Sequence, residues 1–230
     1  MPDLLPLFLN LTGRPVVLVG GGPVATAKLR QLLAAGARVR VVAPEITDEL
    51  QSVVARPALH PDVTLDQRPF EPADLDGAWL VVAAATPEVN RHVADVAERL
   101  RLFVNAVDDP ANATAFLSGV VRRDGVTLAI STSGAAPALT ALLREGLDAL
   151  LPRDLATWMW QARVARVAWR REGVPMDARK PRLLQALNAL YEATGERAEN
   201  AEKYGFAVSA ISAVERPRVP WLNAPEDSWL

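Results

Sequence analysis

The sequence contains no cysteine, which excludes disulfides, thiolate metal ligands and a thiol nucleophile. Histidine is nearly absent. His60 and His92 are the only two, their spacing suits no metal site, and surface or capping positions are expected for both. Lysine is confined to positions 28, 180 and 203, while the other 22 cationic side chains are arginine. A GC-rich coding sequence produces such a skew without functional meaning. The functional alternative is a ligand rich in carboxylates or phosphates, which the guanidinium fork grips in bidentate fashion. No apolar run approaches the ~20 residues of a membrane span, and no basic stretch precedes the short apolar start. With a net charge of only −2, neither a membrane nor a nucleic acid is expected among the partners, and a cytoplasmic location is expected.

What is present is regular. Half of the 230 residues are hydrophobic, enough for a substantial core in one large domain or two modest ones. Apolar runs at 15–19, 37–44, 78–85 and 102–107 alternate with helical patterns at 24–36 and 87–101, and 63–70 alternates like an edge strand. Continuous apolar strands separated by helices predict a parallel sheet covered on both faces, an α/β fold of the Rossmann type. After residue 113 the pattern changes. "AFLSGVV" and "VTLAIST" flank "RRDG", a hairpin signal, and a helix follows within 131–152, with Pro137 near its first turn and Pro152 past its end. From 153 onward only helical periodicity is found: Leu155, Trp158, Ala162, Ala165 and Trp169 share one face, Arg163, Arg166 and Arg170 another, and 182–193 is amphipathic. The arginine row reads as a solvated face before a substrate clamp. Trp158, Trp160 and Trp169 read as packing residues before a ligand platform. The proline-rich stretch 215–229 is expected to be extended. The predicted organisation is a Rossmann domain over 1–113, a small region of hairpin and helix over 114–150, and a helical domain with an extended tail over 151–230.

One stretch carries chemistry by itself. In "VVLVGGGPVATAKLRQLL" (16–33), Gly20, Gly22 and Ala25 fit the G-x-G-x-x-G/A dinucleotide fingerprint, with a strand leading in, a helix leading out and a second strand following. Gly20 permits the tight turn, Gly22 lets a pyrophosphate approach the backbone, and Ala25 lets the helix pack on the sheet. The first-turn N–H groups of that helix then meet the phosphate charge. A tight structural turn is the competing reading of the glycines alone. After the second strand, Glu45 is the nearby acidic candidate for a ribose 2′-hydroxyl, and neither Arg38 nor Arg40 follows the strand end as a 2′-phosphate clamp would. This favours NAD over NADP.

Four spaced motifs, "VGGGPVATAK", "AGARVRVVAP", "VNAVDDP" and "LAISTSGAAPALTALLRE", together resemble the precorrin-2 dehydrogenase/sirohydrochlorin ferrochelatase family, the N-terminal half of bifunctional siroheme synthase. The resemblance runs from about residue 3 to 152. It implies NAD-dependent oxidation of precorrin-2 to sirohydrochlorin, in some members followed by insertion of ferrous iron, on a Rossmann domain with a dimerisation region and a helical domain. It also implies a homodimer built through 114–150. The family's essential aspartate lies in an N-x-V-D motif, here "NAVD", which makes it Asp108. Its cofactor-binding positions correspond to Gly20, Gly21, Gly22, Pro23 and Val24, to Pro44 and Glu45, and to Thr86. Its Ser/Thr-rich turn corresponds to Ser131, Thr132 and Ser133, expected to bind substrate. Three positions depart from the family pattern: Ala27 stands before Lys28 where many members have arginine, Ser118 where many have proline, and Ala136 where many have serine.

Read without the family, Asp108, Asp109 and Pro110 suit a plain turn. Yet the carboxyl end of a parallel strand is where open α/β folds place their ligands. As proton acceptor, Asp108 is expected to be partly buried. Three readings compete with the bifunctional enzyme, the first two being a dehydrogenase without chelatase activity and a nucleotide-sensing regulatory module, which also begins strand–GxGxx–helix but gives no role to the NAVD and STSG stretches. A helical-tail scaffold with a vestigial nucleotide site is the third.

Overall fold

A computed structural model describes residues 4–56 and 62–203 of the chain, with side chains described to 190. His60 and the 215–229 stretch lie outside the described residues. The chain divides into two compact units, one comprising residues up to 118 together with 131–140, the other 119–130 together with 141 onward.

The first unit is a five-stranded, all-parallel sheet in the order β3-β2-β1-β4-β5. Its strands are β1 (Pro15–Val19), β2 (Arg38–Val42), β3 (Val63–Asp66), β4 (Leu80–Ala83) and β5 (Phe103–Ala106). The connecting helices are α1 (Pro23–Ala34), α2 (Asp48–Val54) and α3 (Pro87–Arg99). The central strands β1 and β4 are apolar along their length because both faces are covered. In β4, Leu80 and Val82 join the cluster under α1 and α2, with Ala25, Leu29, Leu32 and Leu50. Val81 and Ala83 join the opposite cluster with Val93, Val96 and Ala97 of α3.

Two local readings are corrected. The alternating run 63–70 pairs with β2 only over Val63–Asp66. Beyond it the Arg68 amide bonds back to the Asp66 carbonyl and Pro69 has no N–H to offer a ladder. The seven-residue helix α2 escaped the periodicity analysis because it is too short to establish a period. Its signal was local: Thr47 caps it, accepting from the Leu50 amide at 3.3 Å, ahead of Asp48 and Glu49 in its first turn.

The sheet's outer half is tied by a charge network. The Asp74 side chain is 2% exposed and takes a two-pronged bond from Arg68, with Nη1 at 2.9 Å from Oδ2, while its Oδ2 also accepts from the Glu71 amide. Arg40 of β2 bonds Asp66 at 2.6 Å and reaches Asp74 at 3.3 Å. The Arg68 hydrogen bond above all, with the Glu71 amide and the Arg40 charge, holds the Asp74 carboxyl below its ordinary value. A carboxyl depressed in the folded state stabilises fully above its unfolded pKa, and that contribution fades as pH falls through the lower folded value. Asp74→Asn should therefore lower the thermal midpoint at pH 7, and the gap from wild type should narrow below about pH 4. Calorimetry across that range checks it.

The second unit opens with a hairpin of β6 (Gly119–Arg123) and β7 (Val126–Ile130). Asp124 and Gly125 both have positive φ, 48° and 85°, the backbone a two-residue primed turn requires. Three helices follow along the chain: α4 (Pro137–Leu150), whose residues up to Thr140 count with the first unit, α5 (Leu155–Arg171) and α6 (Met176–Lys203). Leu155 and Trp158 are buried with Leu187 of α6 in a small core, and Ala162, Ala165 and Trp169 on the same α5 face are half-buried. Arg163, Arg166 and Arg170 are exposed, as is Trp160. α4 is different: its side chains include Leu139, Leu142, Leu143 and Leu150, and none of its residues is buried.

Candidate active site

The sheet order places β1 between β2 and β4, so the connections from β1 and β4 diverge at the carboxyl ends of the strands. That divergence opens the crevice in which open α/β sheets take their ligands. The glycine turn, Thr86 and Asp108 all lie along this edge.

The three glycines serve three different purposes. Gly20 leaves β1 at φ +127°, its amide bonded to the Val42 carbonyl at 3.0 Å. A Cβ there would overlap the Ala84 carbonyl oxygen and come 2.6 Å from its carbon. Gly21 is buried against the loop after β2: a Cβ would overlap the Glu45 carbonyl oxygen and stand 2.9 Å from Ile46 Cα. Both are therefore glycine because backbone passes beside them. Gly22 differs. A Cβ on it would meet no atom within 4 Å.

Gly22 is the N-cap of α1, has extended backbone, and caps no amide with a side chain. Pro23 follows without an N–H, leaving the Val24 and Ala25 amides as first-turn donors with no intrahelical acceptor. The first turn holds no acidic residue, and Pro23 and Val24 are exposed. The open space at Gly22, uncapped amides and positive helix end fit a pyrophosphate. Ala25 is fully buried against the sheet, as the fingerprint requires. The buried Thr26 hydroxyl bonds back to the Gly22 carbonyl at 3.0 Å and stiffens the turn.

Pro44 and Glu45 are exposed beyond β2. Arg40 is held in the network with Asp66 and Asp74, and Arg38 donates to the Gly13 carbonyl at 3.0 Å. Thr86 is the exposed N-cap of α3, its hydroxyl unused in capping.

At the end of β5, Val107 pairs with the Ala83 carbonyl and the chain then turns at Asp108, which has φ +56°. Aspartate tolerates this left-handed conformation better than most residues. The expectation of partial burial is corrected here: Asp108 is exposed, because the left-handed turn carries it off the strand and out of the sheet's cover. Asp109 is turned inward to accept from Asn112 at 2.7 Å. Ser131, Thr132 and Ser133 come to the same neighbourhood: Ser133 and Gly134 have positive φ, and a Cβ on Gly134 would stand 3.2 Å from Pro110 Cγ. Thr132 Oγ1 accepts from the Ala136 amide at 3.2 Å, so that hydroxyl shapes the turn.

Three further residues escaped the sequence reading as members of this edge. Buried Asn90 ties the ends of β4 and β5 together, accepting from the Ala85 amide at 2.9 Å and donating to the Val107 carbonyl. Asn105 donates to the Ala115 carbonyl at 2.9 Å, and its Oδ1 is a buried acceptor without a partner. Lys28 on α1 is half-buried; burial lowers its pKa, and the negative charge of Asp108 opposes that shift. The available signals were the polar side chain in an apolar strand and the rarity of lysine. His92 is exposed, its ring edge-on to Phe70 at 5.6 Å. Among the described residues, no three His, Cys, Asp or Glu side chains gather as a metal site, and no helix is long and apolar enough to cross a membrane.

This geometry agrees with two family matches: a family described as NAD(P)-binding covers residues 7–119, and the sirohaem biosynthesis protein central family covers 123–150. Among curated proteins, siroheme synthase 2 of Aeromonas salmonicida is 48% identical over 154 residues, 66% of this chain and 31% of that protein. Siroheme synthase of Photorhabdus laumondii subsp. laumondii is 42% identical over 168 residues, 70% of this chain and 35% of that one. The chain thus belongs to the NAD(P)-binding family over residues 7–119 and to the sirohaem biosynthesis protein central family over 123–150. It spans about a third of the length of the curated relatives it matches. Among solved structures, SirC, a precorrin-2 dehydrogenase, superposes with a TM-score of 0.59 at 24% identity, covering 79% of this chain and 88% of that one. That likeness is one of fold. The Gly20–Ala25 turn lies in the segment that matches the NAD(P)-binding family, and the STSG turn in the segment that matches the sirohaem biosynthesis protein central family.

Proposed function

We propose that the chain is an NAD-dependent dehydrogenase that oxidises precorrin-2 to sirohydrochlorin. The observation that carries the reading is Gly22, a glycine with no protein atom to avoid, set at an uncapped helix end. The names of the similar siroheme synthases and of the SirC dehydrogenase supply the substrate class. Gly20, Gly21, Gly22, Pro23 and Val24 hold the pyrophosphate side of NAD, with Pro44, Glu45 and Thr86 bordering the cofactor. NAD is preferred over NADP because Arg38, Arg40 and Arg68 are bonded within the protein, leaving Glu45 at the tip of β2.

When bound, NAD accepts a hydride from the macrocycle. Asp108 accepts the proton that leaves an adjoining position, so the substrate gains one double bond. Ser131, Thr132 and Ser133, on the turn packed against Pro110, border the macrocycle beside it. Mixing the purified chain with NAD and precorrin-2 should convert the chromophore to that of sirohydrochlorin, and an unchanged spectrum with NAD bound would sink the reading. Adding ferrous iron to the product then tests chelation. A siroheme spectrum assigns that step to this chain with iron as a substrate, and unchanged sirohydrochlorin leaves it a dehydrogenase alone.

A second copy of the chain covers α4, which exposes Leu142 at 65% and Leu150 at 54% with no buried residue of its own. An apolar helix of this kind beside a hairpin is stable when a symmetric partner removes it from water. Light scattering should return twice the 24.8 kDa of one chain at micromolar concentration. Leu142→Glu together with Leu143→Glu should shift it to the monomer mass.

A further inference from the structure

We propose that Asn90 is the positioning residue for Asp108, its side chain holding the turn that carries this carboxylate in one conformation and against the loop after β4. The chemistry rests on the dehydrogenase reading; the placement does not.

Asp108 is the third residue of the turn from Ala106 to Asp109, in which the Asp109 amide bonds back to the Ala106 carbonyl at 3.4 Å. Its φ is +56°, while Val107 before it is not among the residues of positive φ. Negative φ followed by positive φ is the pattern of a type II turn. Turning over the single peptide plane between Val107 and Asp108 gives type I, in which both residues have negative φ. For a residue other than glycine, type I is the ordinary choice. Something must hold that peptide in the rarer orientation.

Asn90 grips it. Asn90 Nδ2 donates to the Val107 carbonyl at 3.4 Å, and this is the oxygen that would swing away in type I. Asn90 Oδ1 is itself fixed, accepting from the Ala85 amide at 2.9 Å. The residue is 4% exposed, so a turned peptide would leave Nδ2 buried without an acceptor. The other side of Val107 is also anchored, its amide bonded to the Ala83 carbonyl at 2.9 Å. Asp108 accepts no hydrogen bond from the described residues, whereas Asp109 is bonded to Asn112. The rotamers open to a side chain depend on its φ and ψ, so the turn selects the direction of the free carboxylate. Ala85 precedes Thr86, and a Cβ on Gly20 would overlap the Ala84 carbonyl oxygen. One buried side chain thus ties the loop beside the glycine turn to the turn that carries the proton acceptor.

In the oxidation the substrate gives a hydride to NAD and a proton to Asp108, leaving NADH, protonated Asp108 and one new double bond. Asn90 exchanges no atom in this step. Asn90→Leu, close in size and without either bond, should lower kcat about tenfold or more, as misplacing a reacting group does. NAD affinity should change less than about threefold, because the Ala84 amide keeps its bond to the Val19 carbonyl at 2.8 Å. In an Asp108→Asn background the same substitution should cost less than about twofold in the residual turnover. Wild-type kcat in Asn90→Leu, or an equal loss in both backgrounds, would overturn the proposal. Nuclear Overhauser contacts read the turn without substrate. Wild type should show a strong contact between Val107 Hα and the Asp108 amide proton, the mark of type II. In Asn90→Leu that contact should weaken and one between the Val107 and Asp108 amide protons should appear. Asn90→Ala, which adds no bulk, gives the same readout if Asn90→Leu does not fold. A turn unchanged in either folded variant, or an amide–amide contact already strong in wild type, would overturn the placement. If wild type leaves precorrin-2 untouched, the dehydrogenase reading falls, and the turn contacts alone decide what Asn90 does.

Discussion

Asp108→Ala is expected to slow dehydrogenation by about 10²–10⁴-fold, the range typical of losing a positioned general base, while NAD affinity changes less than about twofold. The split follows from position. Asp108 stands at the end of β5, whereas the pyrophosphate donors stand at the start of α1. Removing the carboxylate takes away a proton acceptor and no backbone group. Alanine at φ +56° also costs some strain, about 1–2 kcal/mol, so Asp108→Asn, which tolerates that backbone, serves as the companion variant. Both should lose turnover, and only the alanine should lose noticeable stability. Asp109→Ala should do far less to turnover, because its carboxylate is spent on Asn112. Stopped-flow absorbance of the macrocycle separates the outcomes. A fully active Asp108→Asn enzyme would remove Asp108 from the mechanism, and one that lost only iron insertion would assign the two steps to different groups.

The adjacent glycines should respond in opposite ways. Gly22→Val should weaken NAD binding on the order of 100-fold or more, yet leave the protein folded at a cost of about 1 kcal/mol. Its backbone, at φ −80° and ψ −175°, accepts valine, and the new side chain projects into space that only a ligand fills. Gly20→Ala should instead destabilise the fold by about 2–4 kcal/mol, through positive-φ strain and overlap with the Ala84 carbonyl. Gly21→Ala should do likewise against the Glu45 carbonyl. Thermal melts and NAD titrations of the three variants check the contrast. NAD affinity retained in folded Gly22→Val would take the pyrophosphate away from this turn.

By itself the sequence determined the parallel sheet, the glycine turn and the hairpin. Each is written in patterns a few residues long: unbroken apolar runs for strands covered on both faces, a glycine turn between strand and helix, and Asp124–Gly125 for a tight primed turn. It also singled out Asp108, through a motif whose order along the chain matches its family. It could not show why Gly21 is glycine, since the reason is the backbone at Glu45 and Ile46, brought alongside by the pairing of β1 with β2. It could not bring the STSG turn to Pro110, place Asn105 Oδ1 without a partner, or set Lys28 in the field of Asp108 eighty residues away. Those juxtapositions follow from strand order and from which face of the sheet each helix covers. Local patterns constrain both only loosely, because burial rewards any arrangement that hides the same apolar stripes. The exposure of Asp108 was likewise decided by tertiary structure: one left-handed residue at a strand end reverses what burial of its neighbours would suggest.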